Sequence, residues 1–153
     1  MKHMEKLMKK YGIGYTQGTF DMFHIGHLNL LNHAKECCDH LIVGVNSDEL
    51  VRSYKNKTPV IAAEERAEIV RNIKAVDECY IVTTLDKLRA LELYHFEAIF
   101  IGDDWKGNAR WEQTEKDLAA RGVDLVFLPH TDGISSTQLT GVIKRILDDR
   151  PED

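Results

Sequence analysis

Gly18-Thr19-Phe20-Asp21-Met22-Phe23-His24-Ile25-Gly26-His27 lies between an apolar, β-leaning run (Ile13 to Thr16) and a run of helical period (Leu28, Leu31, Ala34, Cys38). A strand that empties through a glycine turn into a helix places unpaired backbone N–H groups and a partial positive charge at that turn. Such a helix start attracts anions, the phosphates of a nucleotide above all. Gly18 lets the backbone approach those phosphates, and Gly26 clears space on the helix face. His24 and His27 add two imidazole donors aimed at the same oxygens, and donors on developing negative charge need transfer no proton. Two other readings of the pair exist. Histidines three apart can ligate a metal, but no third ligand stands at a familiar spacing, so no metal set is assigned. They can also be plain surface residues, against which the intervening glycine and the strand-to-helix context speak.

Outward from this turn, β-branched runs alternate with segments of helical period. Strands are expected at Ile13–Thr16, Leu41–Asn46, Glu78–Val82, Ala98–Ile101 and Leu125–Leu128. Helices are expected at His27–Cys38, Ala62–Ile73, Leu85–Tyr94, Trp111–Arg121 and Ser136–Asp148. Strands separated by helices imply βαβ units. The fold class is therefore α/β, a single-domain, Rossmann-like parallel sheet with helices on both faces. The domain is expected over residues 13–148, with an N-terminal extension at 1–12 and an acidic tail at 149–153.

The chain has 153 residues, 43% hydrophobic and 29% charged, enough for one full core. A net charge of −5 argues against a partner bound by neutralising nucleic-acid phosphates. No apolar run reaches membrane-spanning length, and the Lys-rich first ten residues lack the apolar segment of a secretory signal. Cys37, Cys38 and Cys79 form no disulfide or zinc pattern and read as reduced, in a cytoplasmic protein.

In such sheets ligands bind beyond the carboxyl ends of the strands, near the switch in strand order. The polar motifs collect there: Asn46-Ser47-Asp48 after the second strand and Gly102-Asp103-Asp104-Trp105 after the fourth. His130-Thr131-Asp132-Gly133-Ile134-Ser135-Ser136-Thr137 follows the fifth. Ser135, Ser136 and Thr137 either simply cap the last helix or grip a triphosphate from the side opposite His24. Asp103 and Asp104 with Trp105 either bind Mg²⁺, read a base edge or cap a turn; base recognition by Asp104 is the sharper expectation. Arg52, Lys55 and Lys57 form a basic, polar stretch, read either as a solvated loop or as a mobile lid over an anion site. Arg66 either pairs with carboxylates on a surface face or points into the site.

In this order the motifs resemble the nucleotidyltransferases with H-x-G-H and I-S-S-T signatures, most closely the glycerol-3-phosphate cytidylyltransferase family. The carrying residues are Gly18–Asp21, His24–His27, Gly102–Trp105 and Gly133–Thr137, over about Ile13 to Ile146. H-I-G-H also occurs in class I aminoacyl-tRNA synthetases, but this chain has no KMSKS-like loop and too little length. The resemblance implies transfer of CMP from CTP to a phosphorylated alcohol, foremost glycerol 3-phosphate, in a cytoplasmic homodimer with Mg²⁺ held mainly by phosphate oxygens. An adenylyltransferase using ATP and a non-catalytic nucleotide-binding module are the alternatives.

Carried over by position, the resemblance implies that Gly18, Thr19, Phe20 and His24 to His27 contact CTP, with His24, His27 and Lys57 serving the triphosphate chemistry. Thr131, Gly133, Ile134, Ser135, Ser136 and Thr137 would close over the triphosphate. Lys55 and Lys87 would hold the acceptor phosphate, and Arg66 and Lys74 are grouped with them. The chain departs from the family at His130 and Lys74, where arginines are expected. Neither replacement reproduces the bidentate guanidinium fork.

Overall fold

Side chains on a strand alternate between faces, so each apolar run feeds two cores at once. Five strands do so here: β1 (Tyr11–Gly18), β2 (Cys38–Asn46), β3 (Glu78–Val82), β4 (Ala98–Gly102) and β5 (Asp124–Leu128). Between them run α1 (Ile25–Glu36), α2 (Asp48–Lys55), α3 (Ala63–Arg71), α4 (Lys87–Tyr94) and α5 (Ala109–Ala119). The computed structural model describes residues 6, 10–102, 107–129 and 143–147. All strand pairs are parallel, in the order β3-β2-β1-β4-β5. One core packs Leu31 and Ala34 of α1 and Ala67 and Val70 of α3 against Val43, Val45, Phe100 and Val126. The opposite core packs Ala90 of α4 and Leu118 of α5 against Tyr15, Ile42, Ile99 and Leu125. The expected Rossmann-like α/β fold, with helices on both faces, is the observed one.

The strand order reverses between β1 and β4. These two pair in register only at Gly14–Ala98 and Tyr15–Ile99. Further along, Thr16 Oγ1 donates to the Phe100 carbonyl at 2.8 Å, so a side chain takes up the acceptor there. The switch point thus opens beside Gly18, as doubly wound sheets require.

Two expectations need correction. Arg52 and Lys55 do not lie in a loop; they sit on α2. Ser47 Oγ accepts from Leu50 N at 3.1 Å, Asp48 and Glu49 occupy the first turn, and Asn56 closes the helix in the left-handed region. The helix is short, eight residues with Leu50, Val51 and Tyr54 on one face and Val51 buried. Cys38, expected at a helix end, instead opens β2 opposite Tyr11. Of the expected Ser136–Asp148 helix, residues 143–147 are described and are helical. No helix among the described residues is long and apolar enough to cross a membrane.

Candidate nucleotide site at the switch point

The chain leaves β1 at Gly18 and turns through two left-handed residues, Phe20 and Met22. Bulky residues rarely hold that conformation, so the turn is fixed by its surroundings. Phe20 is buried, and a side-chain carbon on Gly18 would stand 3.1 Å from its ring. Asp21 fixes the other side, accepting from Val60 N at 2.7 Å and Ile61 N at 2.9 Å.

His24 is the N-cap of α1, in extended conformation. Its Nδ1 accepts from Gly26 N at 3.0 Å, and His27 Nδ1 accepts from His24 N at 3.2 Å. A backbone N–H only donates, so both Nδ1 atoms carry no proton and both neutral rings keep theirs on Nε2. The rings stack at 3.9 Å, and Phe20 and Phe23 lie against His27 at 5.4 and 5.3 Å. Burial lowers the His24 pKa. Burial, and then the neighbouring His24, push His27 down to about 4, with Asp21 opposing. Both imidazoles are therefore neutral donors at pH 7. His24 Nε2 is buried with no hydrogen-bond partner among the described residues.

Beneath the turn lies Arg66, which is 1% exposed. Its Nε donates to the Ile61 carbonyl, and one terminal nitrogen donates to the carbonyls of Thr19 and Asn46 at 2.7 and 2.8 Å. The other meets Asp48 Oδ1 at 2.7 Å. Arg66, expected either on a surface face or in the site, is buried, and its guanidinium joins four groups: the carbonyls of Thr19, Asn46 and Ile61 and the Asp48 carboxylate. Thr19 Oγ1 meets the Tyr54 hydroxyl at 3.2 Å, and Asn46 Nδ2 donates to the same hydroxyl at 3.1 Å. Gln17 Nε2 donates to Asn46 Oδ1 at 2.9 Å and to the Thr84 carbonyl at 3.0 Å.

The basic residues divide. Lys55 ends α2, its ammonium 5.8 Å from the Tyr54 ring centroid. Lys57 is exposed, three residues before the Val60 amide that Asp21 holds. Lys87 opens α4 on the other face, buried, donating to the Leu85 carbonyl at 2.9 Å and lying 5.5 Å from the Trp111 ring centroid. Burial and then Arg110 push its pKa down to about 8, against Asp86. On the same face of the sheet, a cavity of about 150 Å³ is lined by Tyr15, Gln17, Thr84, Arg89 and Tyr94, among others, and Lys87 is not part of its lining. Lys74 is apart from all of these. It precedes β3 and shares a surface depression with Asn32, Lys35 and Glu36 at the end of α1, on the amino rim of the sheet. Lys74 thus lies at the opposite rim of the sheet from the β1–α1 turn.

Asp104, His130, Thr131, Gly133, Ile134, Ser135, Ser136 and Thr137 lie outside the described residues. Sequence reasoning missed Gln17 and Tyr54, polar residues within otherwise structural elements, and gave Asp21 no partner. Asn46 and Asp48 carried a signal, as polar residues closing an apolar strand. No group of three or more His, Cys, Asp or Glu among the described residues forms a metal site. Asp21 and Asp48 are already engaged, with backbone amides and with Arg66.

A family model described as cytidylyltransferase-like matches residues 15–141. A glycerol-3-phosphate cytidylyltransferase of Bacillus spizizenii is 37% identical over 125 residues, covering 81% of this chain and 91% of the relative. An FAD synthase of Thermococcus kodakarensis is 34% identical over 149 residues, covering 95% and 97%. Among solved structures, a lipopolysaccharide core biosynthesis protein of Thermoplasma volcanium superposes with a TM-score of 0.70 at 23% identity, over 80% of this chain and 99% of that one. At that identity the likeness speaks to the fold alone.

Proposed function

The chain belongs to the cytidylyltransferase-like family, and on that premise we propose that it transfers CMP from CTP to a phosphorylated alcohol, foremost glycerol 3-phosphate. The observation that carries this reading is the pair of neutral imidazoles at the start of α1, each accepting a backbone N–H at Nδ1 and holding its proton on Nε2. An oxygen of the acceptor phosphate attacks the α-phosphorus, the bond from that phosphorus to the bridging oxygen breaks, and pyrophosphate leaves. The attacking group is already an anion, so no general base is required. The His24 and His27 donors, the α1 amides and Lys57 stabilise the oxygens that gain charge. No described side chain is assigned to Mg²⁺, which would be carried by the triphosphate and would supply positive charge to the leaving group.

In this reading the acceptor approaches from the α4 face, where Lys87 and the cavity beside Arg89 lie, and Asp104 reads the base. Assembly as a homodimer in the cytoplasm belongs to the same proposal, and light scattering on the purified chain checks the dimer. A second reading, adenylyl transfer from ATP, is favoured by the similarity to an FAD synthase over almost the whole chain. Pyrophosphate release from CTP and from ATP, each with a panel of phosphorylated alcohols and Mg²⁺, decides between them. CTP used at least about tenfold better than ATP, a difference of about 1.4 kcal/mol, supports cytidylyl transfer. Equal use overturns it, and no release with any acceptor overturns nucleotidyl transfer.

A further inference from the structure

Thr84 offers a backbone carbonyl, which can only accept. Gln17 Nε2 lies 3.0 Å from it, so the orientation of the Gln17 amide is fixed, and Nε2 also donates to Asn46 Oδ1 at 2.9 Å. The same orientation turns Gln17 Oε1 to the Tyr15 hydroxyl, which donates to it at 2.6 Å. With Asn46 Oδ1 accepting, Asn46 Nδ2 faces the Tyr54 hydroxyl and donates to it at 3.1 Å. The Tyr54 oxygen thus accepts from Asn46, and its hydroxyl meets Thr19 Oγ1 at 3.2 Å, a contact in which either hydroxyl can donate. With Tyr54 as the donor, Thr19 Oγ1 aims its own proton away from Tyr54. The Thr19 carbonyl is meanwhile held by Arg66 at 2.7 Å, so the backbone beneath the hydroxyl is anchored.

We infer that Tyr54 is a positioning residue: it ends a one-way chain of hydrogen bonds that presents the Thr19 hydroxyl as a donor to a phosphoryl oxygen bound at the start of α1. This rests on the nucleotide reading of that site. The Gln17 and Asn46 amides have their orientation set back to a carbonyl that can only accept, with Tyr54 assigned as the donor at the last contact. The Tyr54 ring is 40% exposed, so packing alone does not account for the placement of its hydroxyl. A hydroxyl already turned outward loses less orientational freedom when it meets an anion.

The test is a double-mutant cycle on the dissociation constants of CTP and of inorganic triphosphate, each with Mg²⁺, for wild type, Thr19→Val, Tyr54→Phe and the double variant. A hydrogen bond to a charged group corresponds to roughly 10- to 100-fold in affinity. Thr19→Val should therefore weaken binding about thirtyfold, and Tyr54→Phe about fivefold. The double variant should bind as Thr19→Val does, because Tyr54 acts only through that hydroxyl. Thr19→Ser should restore binding. Asn46→Asp should weaken it with Thr19 intact, since a carboxylate would draw the Tyr54 proton and reverse the chain. Melting temperatures of the free variants report whether each one folds. Multiplicative losses in the double variant, or no loss in Tyr54→Phe, overturn the inference while the nucleotide reading stands. Wild type binding neither ligand overturns both.

Discussion

Asp48 and Arg66 meet at 2.7 Å between the start of α2 and the first turns of α3, with the arginine side chain wholly removed from water. A buried guanidinium is tolerated only where acceptors surround it, and here the carbonyls of Thr19, Asn46 and Ile61 complete the set. The pair therefore holds the β1–α1 turn, the end of β2 and the approach to α3 in one arrangement.

Arg66→Ala leaves the half-buried Asp48 carboxylate with only the Ala63 amide at 3.3 Å, and takes the guanidinium from three carbonyls. It should destabilise the free protein by about 3–5 kcal/mol, in the range of a broken buried ion pair. Thermal or urea unfolding without ligand measures this. A variant with unchanged stability and only a raised KM would return Arg66 to the substrate residues.

His24→Ala and His27→Ala should each lower turnover by roughly 10²- to 10³-fold, the usual loss for one donor on developing negative charge. Steady-state pyrophosphate release from the folded variants tests this. Wild-type rates in either would remove that imidazole from the chemistry.

The His27 pKa of about 4 has a signed consequence for stability. The unfolded chain binds a proton near pH 6.5, well above the folded value, so the contribution is full above about pH 6.5 and is lost as pH falls towards 4. Denaturant midpoints measured from pH 7 to pH 4 should fall more steeply in wild type than in His27→Gln. Parallel curves would mean the folded histidine titrates normally.

Lys74 and Lys87 should separate cleanly. Lys74→Ala, on the amino rim, should leave kcat/KM for the acceptor within about twofold. Lys87→Met should raise the acceptor KM at least about tenfold, the loss of one charge-assisted bond. In wild type the acceptor KM should rise above about pH 8, where the buried ammonium loses its charge. Lys87→Arg should abolish that rise. The opposite ranking of the two lysines would move the acceptor to the other rim.

Lys57→Ala should weaken triphosphate binding about tenfold, a single charge-assisted contact, with little change in the melting temperature of the free protein, because the residue is exposed. A large stability loss would assign Lys57 to the fold instead.

The sequence by itself determined the sheet and singled out the turn proposed to bind the anion. Alternating apolar runs can be buried on both faces only between two helical layers, and Gly18 to His27 joins a strand to a helix start in one local stretch. Local chemistry of that kind is written in consecutive residues. The tertiary structure alone decided what the polar residues do. Arg66 reads equally as a surface or a site residue until Thr19, Asn46, Asp48 and Ile61 converge on it. Lys74 reads as a phosphate ligand until strand direction sends it to the far rim. Tyr54 carries no signal until a short, eight-residue helix brings its hydroxyl to Thr19. Hydrogen-bond partners tens of residues apart are chosen by packing, and packing is what a pattern of neighbours in sequence does not contain.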